Sequence, residues 1–224
     1  MKTGIVIPWR PQPSRIAPFE FVVSWYKAMY PDAPIYISDS KSEKFSVSAA
    51  RNAGCRQAFA DGCDVVIVSD ADVLIEKEYL DQAIDHCRKR NSLSFPYTWC
   101  GRASYERSQG IMYDKQPWVD GSDVNYIGLI VGAICVISKI AFEDINGWDE
   151  RFYEWGHEDI AFELTFRYLH GDVKRFDGKV VMLYHEDRDM SNEPNNLSRY
   201  HLYVKTAEEL GEQGLRDLIK DNML

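Results

Sequence analysis

Asp70 and Asp72 follow the aliphatic run Val65-Val66-Ile67-Val68, with Ser69 as the spacer before Asp70 and Ala71 between the two acids. In an extended chain, residues two apart point the same way, which would set the two carboxylates side by side. Like charges that close repel unless a proton or a cation lies between them. A hard divalent ion bridging protein and phosphate oxygens satisfies such a pair. The carboxyl end of a strand in an open α/β sheet is also where ligands bind. Loop solvation and helix capping are the competing uses of the same two residues. Asp39 closes a second strand-like run, Ile35-Tyr36-Ile37. A carboxylate there accepts hydrogen bonds from a nucleobase or ribose, or simply makes a turn. Arg51 and Asn52 lie early in the next helical stretch and could reach the same crevice. Arg51 offers a planar fork to phosphate or base oxygens, its alternative being a surface salt bridge.

A third cluster runs Asn146-Gly147-Trp148-Asp149-Glu150 and then Trp155-Gly156-His157-Glu158-Asp159. Acids in the first turn of a helix are ordinary partners of its dipole. Two tryptophans and two glycines around an acidic pair also suit a sugar ring, which has C–H groups on one face and hydroxyls at its rim. His185 and Glu186 follow the run Val180–Tyr184. A lone histidine is usually structural, but this one arrives at a strand edge where a further metal ligand could sit.

The elements that must position these groups alternate. Gly4–Ile7, 35–37 and 65–68 read as strands, and the stretches carrying Phe19, Val22, Tyr26 and Met29, then Ala50 to Phe59, then Tyr79 to Cys87 read as helices. Strand and helix in turn over the first 95 residues favour a parallel sheet with helices on both faces. From Trp99 to Asn125 the pattern lapses into glycines, arginines and aromatics, read as a long irregular loop that orders over a ligand. Ile127–Ile137 reads as a strand, Glu158–Leu169 as an amphipathic helix ended by Gly171, Val180–Tyr184 as a last strand, and 197–210 as a terminal helix.

Composition sets the outer limits. The 224 residues are 45% hydrophobic and 27% charged, which excludes a wholly disordered chain and fits a single domain. Against 26 basic residues stand 35 acidic ones, for a net charge of −9. Nucleic acid and anionic membranes both want a basic face, so neither is an expected partner. The five cysteines show no C-x-x-C or Cys/His zinc spacing and read as reduced, buried thiols of a cytoplasmic protein. No window approaches 18 apolar residues, so no membrane insertion is expected.

Taken in order, Asp39, Ala-Arg-Asn (50–52), Asp-Ala-Asp (70–72), Asn-Gly-Trp-Asp-Glu (146–150), Trp-Gly-x-Glu-Asp (155–159) and Tyr-His-Glu (184–186) resemble the GT-A-fold glycosyltransferases. The chain is similar, more narrowly, to the group containing bacterial chondroitin polymerase domains, β-1,4-galactosyltransferases and polypeptide N-acetylgalactosaminyltransferases. The likeness spans about residues 3 to 186 and is weakest over 98–126. It implies an α/β fold: a single GT-A (Rossmann-like) domain over 1–190 with a mixed, mostly parallel central sheet flanked by helices. Residues 98–126 would be its active-site loop, and 191–224 a C-terminal helical extension packed on the same domain.

The resemblance implies a metal-dependent transfer of a sugar from a UDP-sugar to an acceptor hydroxyl, on a glycan or on a protein serine or threonine. Pro8 and Arg10 would lie beside the nucleotide, Asp39 on the uracil, and Arg51 and Asn52 would hold the nucleotide. Asp70, with Ala71 beside it, would approach ribose or metal. Asp72 and His185 would ligate the ion, with Mn²⁺ ahead of Mg²⁺ because an imidazole joins the oxygens. Gly132 would line the acceptor side, and Trp155 and Gly156 would lie near the sugar. Glu158 would bind sugar hydroxyls, and Asp159 occupies the position of the general base in inverting members. Arg188 could brace the diphosphate or be solvated. His157 stands where the family often has Gly, and retaining polypeptide transferases carry Asn where this chain has Asp159. An ionisable Asp159 favours inversion over a retaining, polypeptide-transferase-like reaction. A nucleotidyltransferase would want a glycine-rich phosphate loop, which Pro8-Trp9-Arg10-Pro11 is not. A non-catalytic sugar-binding protein would have no need of the acidic pair and the terminal-strand histidine.

Overall fold

In the computed structural model, residues 2–118, 124–128, 130–186 and 191–222 are described. The run from Val65 to Ser69 is buried at every position, as a strand covered on both faces must be. In chain order the elements are β1 (Thr3–Pro8), α1 (Ile16–Met29), β2 (Ile35–Ser38), α2 (Val47–Ala60), β3 (Val65–Ser69), β4 (Val73–Ile75), α3 (Lys77–Arg90), β5 (Leu93–Phe95) and β6 (Trp99–Ala103). Then come α4 (Tyr105–Asp114), β7 (Val124–Tyr126), β8 (Ile134–Ser138), α5 (Lys139–Asp144), α6 (Glu158–His170), β9 (Lys174–Arg175), β10 (Lys179–Met182) and α7 (Glu193–Leu218).

The larger sheet is ordered β2-β1-β3-β8-β5-β9. β1 is parallel to β2 and β3, and β5 to β9, while β8 runs antiparallel to both its neighbours. The expected mixed sheet is therefore present, and α3 packs on β8, β3 and β5 while α2 packs on β1 and β2. A smaller sheet, β4-β10-β6-β7, lies beside it. Helix ends follow local chemistry. Ser46 caps α2 by accepting from the Ala49 N–H at 3.2 Å, and Ser138 caps α5 by accepting from Ala141 at the same distance. α7 packs along α6 through Phe152, Ala161, Tyr203, Ala207 and Leu215.

Several sequence expectations are corrected. Val73-Leu74-Ile75 forms a strand that the reading from sequence leaves unassigned between the acidic pair and the helix at Tyr79. The 98–126 stretch is not irregular: it contains β6, α4 and β7, with 119–123 outside the described residues. The strand expected over 127–137 begins only at Ile134, because Gly128, Gly132 and Ala133 all take positive φ. The last strand ends at Met182, short of Tyr184. The terminal helix is longer than 197–210 and bends at Gly211, which leaves helical geometry. All five cysteines are buried and free. Among the described residues, no helix is long and apolar enough to cross a membrane.

One contact couples this frame to the site. α2 approaches the sheet at Gly54, where a Cβ would collide with Val6 Cγ1 and come within 2.7 Å of Ser38 Oγ, both on neighbouring strands. Gly54→Ala should therefore destabilise the protein by about 1–3 kcal/mol. Urea unfolding monitored by tryptophan fluorescence checks this, and a midpoint equal to that of the unaltered protein would contradict the contact.

Candidate active site

The acidic pair does not act as a pair. Strand β3 ends at Ser69, and the chain turns through Ala71 and Asp72 before β4 begins, so the extended geometry that would have aligned the carboxylates is absent. Asp70 Oδ1 accepts from Arg51 Nη2 at 2.9 Å. Asp72 is fully buried, and its Oδ2 faces His185 Nε2 at 3.1 Å and Arg15 Nη2 at 3.5 Å. Ala71 is buried between them.

Asp72 and His185 meet because β4 and β10 pair antiparallel, with Val73 opposite Met182. The ladder continues one step past both strands, the Leu183 N–H donating to the Asp72 carbonyl at 2.7 Å. The imidazole is oriented by its other nitrogen, since Nδ1 donates to the Glu186 carbonyl at 2.6 Å. A neutral ring so fixed turns the lone pair of Nε2 towards a carboxylate oxygen. Two electron-rich atoms at 3.1 Å require a proton or a cation between them. Neighbouring ligands of an octahedral ion with bonds of about 2.1 Å stand roughly 3 Å apart, so these two atoms fit one ion. Among the described residues, no group of three His, Cys, Asp or Glu side chains forms a preassembled cage. Waters and phosphate oxygens would complete the shell.

The other centre is Arg51, only 3% exposed. Its Nη1 donates to Asp159 Oδ1 and stands 3.7 Å from Glu158 Oε1, while its Nη2 holds Asp70. The guanidinium also lies over the Trp148 ring, 5.6 Å from the centroid. Trp148 is stacked on Phe162 at 3.8 Å and donates its indole N–H to Asp159 Oδ1 at 3.2 Å. That leaves Asp159 Oδ2 over Gly132, where a Cβ would overlap the carboxylate. Glycine is needed at 132 for that approach and for its φ of +106°. One cation facing three carboxylates leaves an excess of negative charge. Burial, and then the neighbouring Asp159, push the Glu158 carboxyl up to about 8. Its Oε2 accepts from the Gly156 N–H at 3.2 Å.

Three of the residues expected at the nucleotide or metal have protein partners here. Arg51, expected to help hold the nucleotide, donates to carboxylates through both terminal nitrogens. Asn52 is fully buried: its amide donates to the Trp148 carbonyl at 2.8 Å and Glu150 Oε1 at 2.9 Å, and its oxygen accepts from the Trp148 N–H. It builds the 146–150 turn and does not face the cleft. Asp70, expected to approach ribose or metal, accepts from Arg51.

At the other end of the sheet edge, Arg10 grips Asp39 through Nη2 at 2.8 Å and Nε at 3.1 Å. Burial pushes the Asp39 carboxyl up, but Arg10 and the backbone N–H groups of Ser40 and Lys41 outweigh it and hold it below its ordinary value. Pro8 ends β1, and the following Trp9 N–H extends the pairing to the Ser38 carbonyl. Trp155 is 37% exposed on a loop in which Glu154, Gly156 and His157 all have positive φ. The first turn of α7 holds that loop: Asn196 donates to the carbonyls of Tyr153 and Trp155, and Glu193 bonds His157 at 2.8 Å. Arg188 lies outside the described residues. Arg15 at Asp72 is not foreseen from sequence. Its signal was a basic residue at a helix N-cap, where the dipole disfavours one.

Comparison with known proteins follows the same lines. Residues 125–186 match the family described as the N-terminal domain of galactosyltransferase. β-1,4-Galactosyltransferase 1 of Bos taurus is 27% identical over 231 aligned residues, covering 97% of this chain and 49% of that protein, so the chain spans about half the relative's length. The crystal structure of GalNAc-T7 with UDP, GalNAc and Mn²⁺ superposes with a TM-score of 0.55 at 13% identity, over 92% of this chain and 48% of the other. Glucosyl-3-phosphoglycerate synthase from Mycobacterium tuberculosis, in complex with Mn²⁺, UDP and glucosyl-3-phosphoglycerate, gives a TM-score of 0.52 at 9% identity, over 91% and 78%. The chain has the GT-A glycosyltransferase fold, and in sequence it is similar to the galactosyltransferases.

Proposed function

We propose that this protein transfers a sugar from a UDP-sugar to an acceptor hydroxyl, with inversion at the anomeric carbon and with help from Mn²⁺. The observation that carries the reading is the meeting of Asp72 and His185, remote in sequence, within 3.1 Å at the sheet edge that also gathers Asp70, Glu158 and Asp159. An ion held by Asp72 and His185 would act as a Lewis acid on the departing diphosphate. Mn²⁺ suits a mixed carboxylate and imidazole set better than Mg²⁺ does.

The chain's own residues divide the remaining work. Asp159 Oδ2 takes the proton of the acceptor hydroxyl as the oxygen of that hydroxyl bonds to the anomeric carbon and the bond from that carbon to the β-phosphate oxygen breaks, the electron pair leaving with UDP. Arg51 and Trp148 hold the other oxygen of Asp159 and so aim the base. Glu158, protonated at neutral pH, donates a hydrogen bond to a sugar hydroxyl, and Trp155 with Gly156 offers a face to the ring. Asp39, with Arg10, meets the uracil side, and Pro8 and Ala71 shape the same rim. The segment 98–126 excludes water from the bound donor. Its helix α4 already touches the metal side, Ser108 Oγ accepting from the Tyr184 N–H at 2.7 Å. Glycans and protein hydroxyls are the acceptor classes. Five buried, unpaired thiols accord with a cytoplasmic setting.

A panel of UDP-sugars with and without Mn²⁺, followed by NMR of the anomeric product, tests donor, metal and stereochemistry together. Inversion is expected; retention would move the mechanism to that of the polypeptide transferases, and absence of UDP release with every donor would refute the enzyme. Asp72→Asn should abolish the Mn²⁺-dependent rate while circular dichroism stays native. Asp159→Asn should lower kcat by about 10²–10⁴ with little change in UDP affinity; a near-normal rate would place the base elsewhere.

Glu158 gives a prediction on stability. Between its ordinary value of 4.5 and about 8 the unfolded chain loses this proton before the folded one does. Stability from this group is thus full below pH 4.5 and lost as pH rises to 8. The stability of the unaltered protein relative to Glu158→Gln should fall between pH 5 and pH 8 in urea titrations, and a constant difference would contradict the buried, protonated state.

A further inference from the structure

Asp72 has no contact with solvent, and a carboxylate so buried needs a compensating charge close by. Among the described residues, Arg15 places a guanidinium at that carboxylate, its Nη2 3.5 Å from Asp72 Oδ2. Its Nε is buried there without an acceptor. The position is unfavourable in a second respect. Arg15 is the N-cap of α1, where the helix dipole is positive, and it makes no capping bond. The turn Pro13–Arg15 is nonetheless fastened to the chain beyond β10, Ser14 Oγ accepting from the Glu186 N–H at 3.3 Å. A cation is held beside Asp72 and His185 although neither its donors nor its helix reward it.

We propose that Arg15 is a displaceable countercharge for Asp72 which makes a divalent ion and a nucleoside diphosphate bind as mutually dependent partners. The inference rests on the metal-site reading above. An ion and a guanidinium that share one carboxylate repel each other, so an ion arriving alone must push Arg15 aside without recompense. A diphosphate brings enough negative charge for both cations, and its oxygens match the planar fork, including the idle Nε. Each ligand then raises the affinity of the other, by the same factor in both directions.

The test measures Mn²⁺ binding through loss of the free-ion EPR signal, with and without UDP, and UDP binding calorimetrically with and without Mn²⁺. The unaltered protein should bind Mn²⁺ at least about tenfold more tightly when UDP is present. Arg15→Gln should tighten Mn²⁺ binding in the absence of UDP by about tenfold, and the coupling factor should drop by about the same factor, leaving only the share that direct contact between ion and diphosphate supplies. Arg15→Lys keeps the charge and loses the fork, so its affinity for Mn²⁺ alone should stay at the unaltered value. Unchanged or weaker Mn²⁺ binding in Arg15→Gln, an undiminished coupling factor, or a Lys variant that tightens Mn²⁺ as Gln does would each overturn the proposal. Failure of the underlying reading looks different: the unaltered protein would bind no Mn²⁺ under any condition, or Asp72→Asn would bind it equally well.

Discussion

The short antiparallel pairing of β4 with β10 is the constraint on which the candidate site depends. It involves three residue pairs, extended by one hydrogen bond from Leu183 to the Asp72 carbonyl. Without it, a carboxylate at the end of β3 and an imidazole far along the chain would have no reason to face each other. A backbone ladder fixes the two ends to within a fraction of a residue, which side-chain packing alone does less well. The smaller sheet is thus more than an appendage to the larger one. It brings His185 to Asp72.

A second constraint is electrostatic. Arg51 brings α2, the end of β3 and the start of α6 to one point, because Asp70 and Asp159 accept from its two terminal nitrogens with Glu158 close by. A buried guanidinium among carboxylates is costly to assemble and more costly to break, since removing one partner strands the others. The fold absorbs the surplus negative charge by keeping Glu158 protonated. The same arrangement explains why Gly132 and Gly54 are tight: one admits Asp159, the other brings α2 close enough for Arg51 to reach.

Much of this was legible in the residues. The aliphatic runs announced β1, β2 and β3, and the acidic and aromatic motifs marked the segments that the fold brings to the candidate site. Their order along the chain carried the resemblance to GT-A enzymes. What the sequence did not disclose was partnership. Periodicity set Asp70 beside Asp72, but a turn at Ala71 sends them to different cations. Arg51 and Asn52 read alike as cleft residues, yet both are buried, one on carboxylates and the other on the backbone of Trp148. The three-residue β4 was too short to show a period. β6, α4 and β7 hid in a stretch whose glycines and aromatics resembled a loop. Such features are settled by long-range pairing, to which local pattern is blind.

The loop that presents Trp155 strings together three left-handed residues, two of which are not glycine. Such backbone is not self-sustaining, and here its geometry is imposed from outside by Asn196 and Glu193 of α7. The terminal helix therefore serves as a mould for a surface contributed by another part of the chain. Substitutions in that helix would therefore recast the surface around Trp155 without any change in the loop's own sequence.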